Sequence, residues 1–394
     1  MASYTPQEGI RATVKALQQG LVRSLRSIYV YGSLAQSHYD ENTSNVNLLV
    51  VVANGASIHD VRQAYLPVWW RYRTVLRSAP LLAQKDSIRR YLILNPIFTN
   101  HLRKVGNRIF GEPLALPEQR LSVSEGMSRL LLDAMTASQA LSPSLMPEDD
   151  AAEANRLLYR LARRLGYKNN QRLGAAKIFA FVHHRLAQGL SRLPNDFEVM
   201  PQADAPADIP TLQTMYVKDD QLVMVFPKLT PELIIETDWE KVASLVEDQC
   251  TGLMITTPQQ LDLIAKFEHP MELLLLNYQH EWGDDFLNGS VPSRRLVLRQ
   301  AARLPTELEI SGFAGQYLTS EDTEVSMLIH DFQNRLLNIQ LRHELLVRLQ
   351  HAVPATPTHP LPGRDEREDM RVSAIFDHTN WWSTYYTNSM SNYE

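Results

Sequence analysis

The chain has 394 residues, 44% of them apolar and 21% charged, enough for one to three domains around a sizeable core. Its net charge of −5 excludes a generic nucleic-acid coat protein, because no overall positive field gathers phosphates, although a local basic groove stays compatible. Cys250 is the single cysteine, which excludes an internal disulfide framework and any cysteine-based zinc site.

The opening residues, Met1-Ala-Ser-Tyr-Thr-Pro, lack a basic stretch followed by an apolar one, so no signal peptide is expected. The longest apolar runs, Leu48–Ala53 and Leu273–Leu276, are far too short to cross a bilayer, and a soluble, cytoplasmic protein with no membrane partner is the expectation. Residues 7–27 carry Ile10, Val14, Leu17, Leu21 and Leu25 at spacings of three and four, which predicts an amphipathic helix. Ile28–Tyr31 reads as a short strand ended by Gly32-Ser33, and Leu34–Ser37 as the start of a helix. Val46–Val52 is an almost unbroken β-branched and leucine run, the pattern of a buried central strand. Ile58–Leu76 returns to helical spacing.

Ser122–Leu141 and Ala151–Gln188 are helical by periodicity, and residues 194–211, rich in Pro, Asp and Ala, read as an internal linker. Leu222–Phe226 and Leu233–Glu236 read as strands; Trp239–Val246, Pro258–Phe267, Pro270–Trp282 and Glu321–Leu349 read as helices. Pro354, Pro357, Pro360 and Pro362 mark an extended linker before an aromatic C-terminal segment containing Trp381, Trp382, Tyr385 and Tyr386.

Nucleotidyl transfer needs a triphosphate cradled by backbone N–H groups at a tight turn. It also needs divalent ions held by carboxylates. A Gly-Ser turn after one strand, with two aspartates at alternate positions of the next, meets both demands, since alternation aims both carboxylates at one side. Here Tyr29-Val-Tyr-Gly32-Ser33-Leu-Ala is followed, twelve residues after Ser33, by Asn45-Val-Asn47 leading into the hydrophobic strand. This frame resembles the signature of the polymerase-β-like nucleotidyltransferases, particularly the minimal and antibiotic-modifying branch. Gly32 and Ser33 match that pattern, while Asn45 and Asn47 stand where its aspartates belong. The resemblance continues from Asn95-Pro96 to Phe110-Gly111, but no acid lies between Pro96 and Gly111, and Phe98 or His101 holds the place of a third carboxylate.

The resemblance implies an α/β nucleotidyltransferase-like domain over residues 1–118, with a small mixed sheet and flanking helices. A mainly helical α+β remainder follows: helical over 119–193, α+β or helical over 212–350, then the proline linker and aromatic arm over 351–394. It further implies nucleotide binding through Gly32, Ser33, Asn45 and Asn47 with no catalytic residue, since asparagine keeps the shape of aspartate but not the charge that hard cations select. No metal or other cofactor is then expected. The alternative is an active enzyme with rearranged ligands, which would use Mg²⁺ and draw on Asp40 or Glu41 from the intervening loop. A third possibility is an assembly module with no nucleotide role. Thr257–Gly283 echoes Ala83–Gly111, so residues 212–350 are candidates for a degenerate second copy, with Leu233–Glu236 standing for the Leu48–Val52 strand.

Other features are weaker. His183-His184 cannot share one metal from a helix, because adjacent residues diverge by more than a quarter turn. Arg156, Arg160, Arg163 and Arg164, then Lys168, Arg172 and Lys177, form a basic stripe that faces phosphate or pairs with acids. Arg89, Arg90, Arg103, Lys104 and Arg108 form a second basic group. Trp69-Trp70-Arg71-Tyr72-Arg73 packs over the sheet or stacks on a base. Trp381–Tyr386 either docks on its own core or exchanges between subunits of a homo-oligomer.

Overall fold

Thr5 opens the fold with a capping box: its side chain accepts from the Glu8 N–H, and Glu8 reaches back to the Thr5 N–H. The computed structural model describes residues 4–37, 39, 44–118, 122–168, 173–193, 209, 211–247, 250–358, 360–363 and 365–391. Helix α1 (Pro6–Gly20) ends earlier than its periodicity suggests, because Leu25 already belongs to strand β1 (Leu25–Tyr31). Strand β2 (Asn47–Val52) runs antiparallel to β1. Ser57 caps α2 (Ile58–Leu76), whose bounds are those read from the sequence. Strand β3 (Leu81–Gln84) lies parallel to β2. Helices α3 (Lys85–Leu94) and α4 (Pro96–Val105) lead to β4 (Asn107–Gly111), which returns antiparallel to β1. The strand order is β3-β2-β1-β4.

Both faces of this sheet are covered. Ile28, Val30, Leu48, Val50 and Val52 pack with Leu17, Val61 and Tyr65. Tyr29, Leu49, Val51 and Ala83 pack with Ile88, Tyr91, Leu92 and Leu102. Double coverage explains why the β2 sequence is continuously apolar rather than alternating.

The expected helical segment over 119–193 consists of α5 (Val123–Ala137), two short 3₁₀ turns, α6 (Glu148–Arg164) and α7 (Ala175–Leu190). A hairpin of β5 (Thr214–Lys218) and β6 (Gln221–Val225) follows. Leu233–Glu236 is not a strand. It lies in α8 (Pro231–Glu236), where Thr230 caps the helix and Pro231 occupies its first turn. Then come α9 (Trp239–Ser244), β7 (Gly252–Thr256), α10 (Pro258–Phe267), α11 (Pro270–Leu274) and β8 (Tyr278–Gly283). The expected helix Pro270–Trp282 is therefore cut short, and its second half is an edge strand with a polar middle, Gln279-His280-Glu281. The order of this second sheet is β7-β6-β5-β8.

The remaining helices are α12 (Arg294–Glu307), a π-helical turn over Leu308–Phe313, α13 (Ala314–Thr319), α14 (Asp322–Arg348) and α15 (Glu368–Ser391). The expected linear division into domains is not the observed one. One unit joins Met1–Arg120 with Val297–Glu394, and the other is Leu121–Leu296. Within the first unit, Phe313, Tyr317, Ile329, Phe332 and Phe376 enter the core of the first sheet. Within the second, Leu131, Leu158, Phe179 and Leu186 share a core with Val223, Val225 and Leu253. The aromatic segment is not a free arm: Trp382 and Tyr386 are buried on their own chain, stacked near His343 of α14. Residues 194–208, most of the expected linker, lie outside the described residues.

The two sheets share more than strand order. In each, the first strand pairs antiparallel with the second and fourth, and the second pairs parallel with the third. Tyr29 sits opposite Leu49 and Arg108; Tyr216 sits opposite Val223 and His280. Each first strand has a register shift against its fourth strand. Each third strand feeds a ten-residue helix, α3 or α10, followed by a proline-started helix. Even the tyrosine hydroxyls match, since Tyr29 accepts from the Leu114 N–H and Tyr216 from the Leu287 N–H. The difference lies in one loop: residues 32–46 join β1 to β2, whereas Asp219-Asp220 alone joins β5 to β6.

Candidate functional site

Gly32 follows β1 with φ +80, a conformation that suits glycine. A Cβ there would lie 2.5 Å from the Asn47 side-chain nitrogen, so the Asn47 side chain would have to move aside for any other residue. The Gln36 N–H bonds to the Gly32 carbonyl at 3.2 Å and the Ser37 N–H to the Leu34 carbonyl at 3.2 Å. The expected helix start at Leu34–Ser37 is thus a run of turns, ended by Ser37 at φ 59. Ser33 is half-buried on this turn.

Asn47 is the first residue of β2 and lies directly across from Tyr31. It shares a strand face with Leu49 and Val51, the side covered by α3 and α4. Asn45 is half-buried two residues upstream, before the strand begins. The structure therefore places Asn47 beside Gly32, with Ser33 next along the turn and Asn45 two residues before the strand position of Asn47. Asp40 and Glu41, the acids an active enzyme would recruit, lie outside the described residues.

Asn95 caps α4 by accepting from the Phe98 N–H, with Pro96 in the first turn. The Thr99 hydroxyl ties α4 to α3 by donating to the Leu92 carbonyl at 2.5 Å. This seating presents Phe98 and His101 edge-on to the Tyr31 ring, with centroids 5.4 and 6.3 Å away. Desolvation raises the Tyr31 phenol, which stays neutral through the physiological range. Tyr31, Phe98 and His101 thus form an aromatic cluster on this side of β1. Among the described residues, no group of three or more His, Cys, Asp and Glu side chains is placed to hold a metal ion.

The matching edge of the second sheet is built differently. Gln221 takes the register position of Asn47, and Asp219, at φ 57, turns the short hairpin. A pocket of about 500 Å³ opens there against α6, lined among others by Gln139, Asp150, Glu153, Asp220, Gln221 and Thr251. Its polar groups are largely spent on one another. Gln139 donates to Gln221 at 2.5 Å, and Thr251 and Gln221 donate to Asp220, which holds the Asp220 carboxyl below its usual range. Its lining holds three carboxylates, of which Glu153 is paired with Arg156 and Arg160, and no lysine or arginine, so it is a poor place for phosphate.

Among the other sequence candidates, Arg156 and Arg160 pair with Glu153, and Arg164 pairs with Asp133. That is the pattern of an acid-paired helix face rather than a phosphate track. Arg172 lies outside the described residues. Arg89, Arg103, Lys104 and Arg108 are exposed; Arg103 donates to the Pro117 carbonyl, and half-buried Arg90 donates to Asn380. His183 is buried against Gln260 while His184 meets Gln188, so the pair diverges as helical geometry requires. Trp69 packs beside Tyr65, and Arg73 covers Trp70.

Sequence reasoning missed Glu309. It is buried in the π-helical turn, where Thr379 of α15 donates to it at 2.8 Å. Nothing in the local pattern Leu-Glu-Ile-Ser separates it from an exposed helical acid. No protein-family model and no curated protein matches this chain.

Proposed function

We propose that this protein is a catalytically degenerate nucleotidyltransferase-like protein that binds a nucleotide, or scaffolds a partner, without metal-dependent transfer. One observation carries the reading: neutral Asn47 lies against the left-handed Gly32 turn, where transfer chemistry would need a carboxylate. The aromatic trio Tyr31, Phe98 and His101 supports it by filling the adjacent position. The repeated strand order supports descent from a duplicated unit whose second copy shortened the loop between its first two strands.

The test is a paired assay on the full chain. Thermal-shift and calorimetric titration with ATP and GTP should show binding, while pyrophosphate release stays at the level of buffer with amine, hydroxyl or RNA acceptors present. Metal-dependent pyrophosphate release by the unmodified protein would establish the active-enzyme alternative in its place.

A further inference from the structure

We infer that the Gly32–Asn47 site takes the polyphosphate of a nucleotide directly, with no divalent cation between protein and ligand; this rests on the nucleotide-binding reading above. The argument is one of charge sign. A site with paired carboxylates repels phosphate until Mg²⁺ bridges the two. Here the described side chains at the turn are Ser33, Asn45 and Asn47, all neutral. Asparagine brings two N–H donors where aspartate has acceptors only, and the Asn47 side chain occupies the space beside Gly32 where a Cβ would stand. Ser33 adds a hydroxyl, and Tyr31 beside it remains a neutral phenol.

The surroundings lean the same way. From Pro96 to Gly111 the chain carries His101, Arg103, Lys104 and Arg108 and no acid. His101 touches Tyr31, and exposed Arg108 lies across β1 from Tyr29, one residue pair along the same strand face. These described side chains are neutral or basic, which suits an anion better than a metal ion, while Asp40 and Glu41 of the loop after Gly32 lie outside the described residues. The acidic pocket beside the second sheet has the opposite character, so the two edges are not interchangeable sites.

The full-length protein is titrated calorimetrically with ATP, with inorganic triphosphate and with adenosine, each in EDTA and in excess Mg²⁺. The inference expects ATP and triphosphate to bind in EDTA at least as tightly as with Mg²⁺, since the cation neutralises the anion being recognised. The Asn45→Asp/Asn47→Asp variant should lose more than about tenfold in EDTA and recover only when Mg²⁺ is added. Wild-type binding that requires Mg²⁺ overturns the inference but leaves nucleotide binding standing, as does binding of adenosine without triphosphate. Absence of heat with every ligand in both buffers overturns both. The wild-type comparison needs no substitution, so a misfolded variant does not blunt the test.

Discussion

Gly111 and Gly283 end the edge strands of the two sheets in the same left-handed conformation, with φ 78 and 83, and each presses on the backbone beside the start of its neighbouring strand. A Cβ on Gly111 would strike the Arg26 carbonyl, and one on Gly283 the Gln213 carbonyl. Gly111→Ala and Gly283→Ala should therefore each lower stability by about 2 kcal/mol or more, through dihedral strain and backbone clash. Gly126→Ala is the control: that glycine lies inside α5 with open space around it, and alanine should add about 0.5–1 kcal/mol. Urea midpoints measure all three. A neutral Gly283→Ala would mean that the two glycines only look equivalent.

The two units should respond to pH in opposite directions. Burial pushes the Glu309 carboxyl up from 4.5 to about 7, against the lowering effect of Ser87, Thr379 and Arg90. Between those values the folded state holds a proton that the unfolded state has released. Stability of the first unit thus falls as pH rises through that window, by up to about 1.4 kcal/mol per pH unit, and is fully present below it. In the second unit, burial drives His183 down from 6.5 to about 4. There the unfolded state binds the extra proton, so stability falls as pH drops from 6.5 towards 4. Hydrogen exchange read by mass spectrometry resolves the units separately. Glu309→Gln should flatten the alkaline loss in the first unit and leave the acid response of the second unchanged.

The residues explain which parts of this architecture sequence reasoning reached. α2 and α10 were legible end to end because helical periodicity and N-terminal signals agree over their whole lengths. β2 was legible because a strand covered on both faces is continuously apolar. β8 was not, since an edge strand whose middle residues Gln279, His280 and Glu281 are polar and exposed has no apolar signal. Leu233–Glu236 looked like a strand because four residues cannot separate the two periods; the deciding information was Thr230-Pro231 just upstream. The echo between Thr257–Gly283 and Ala83–Gly111 was visible, but its upstream partner was misplaced. The two-residue turn at Asp219-Asp220 carries no Gly-Ser signal to mark β5 and β6. At the candidate site, the resemblance pointed to the turn after β1, and the structure places Asn47 beside Gly32 there. The burial of Glu309 was not, because it depends on α15, which joins the first unit from the far end of the chain.

Trp382 tests whether the aromatic C-terminus belongs to its own chain. Its ring is 1% exposed and lies 4.8 Å from the His343 ring, while the Tyr386 hydroxyl is 2.9 Å from His343 Nδ1. Tyr385 adds a bond from its hydroxyl to the Val353 carbonyl at 2.6 Å. Trp382→Ala should cost about 3–5 kcal/mol, the range for emptying a large aromatic site. Light scattering should give one mass for the wild type and the variant. A fall in mass on substitution would instead point to exchange of this helix between subunits.

The exchange of helices between the two halves of the chain makes the strongest mechanical prediction. The segment before residue 194 contributes β1–β4 to one unit and α5–α7 to the other. The segment after residue 208 contributes β5–β8 to the second unit and α12–α15 to the first. Each fragment therefore keeps α1–α4 or α8–α11 beside its own sheet but lacks the further helices that complete that sheet's core, and exposing the apolar surface they cover costs more than the few kcal/mol of a typical net stability. If a protease site is inserted within residues 194–208 and the folded protein is cut there, the two fragments should co-elute as one particle of unchanged mass. They should separate only in denaturant, at a midpoint near that of the uncut chain, because loop-closure entropy is the main quantity lost. Fragments that part under native conditions, each retaining its own helical and strand signal, would show that each half folds independently and that the helices complete the sheets of their own half.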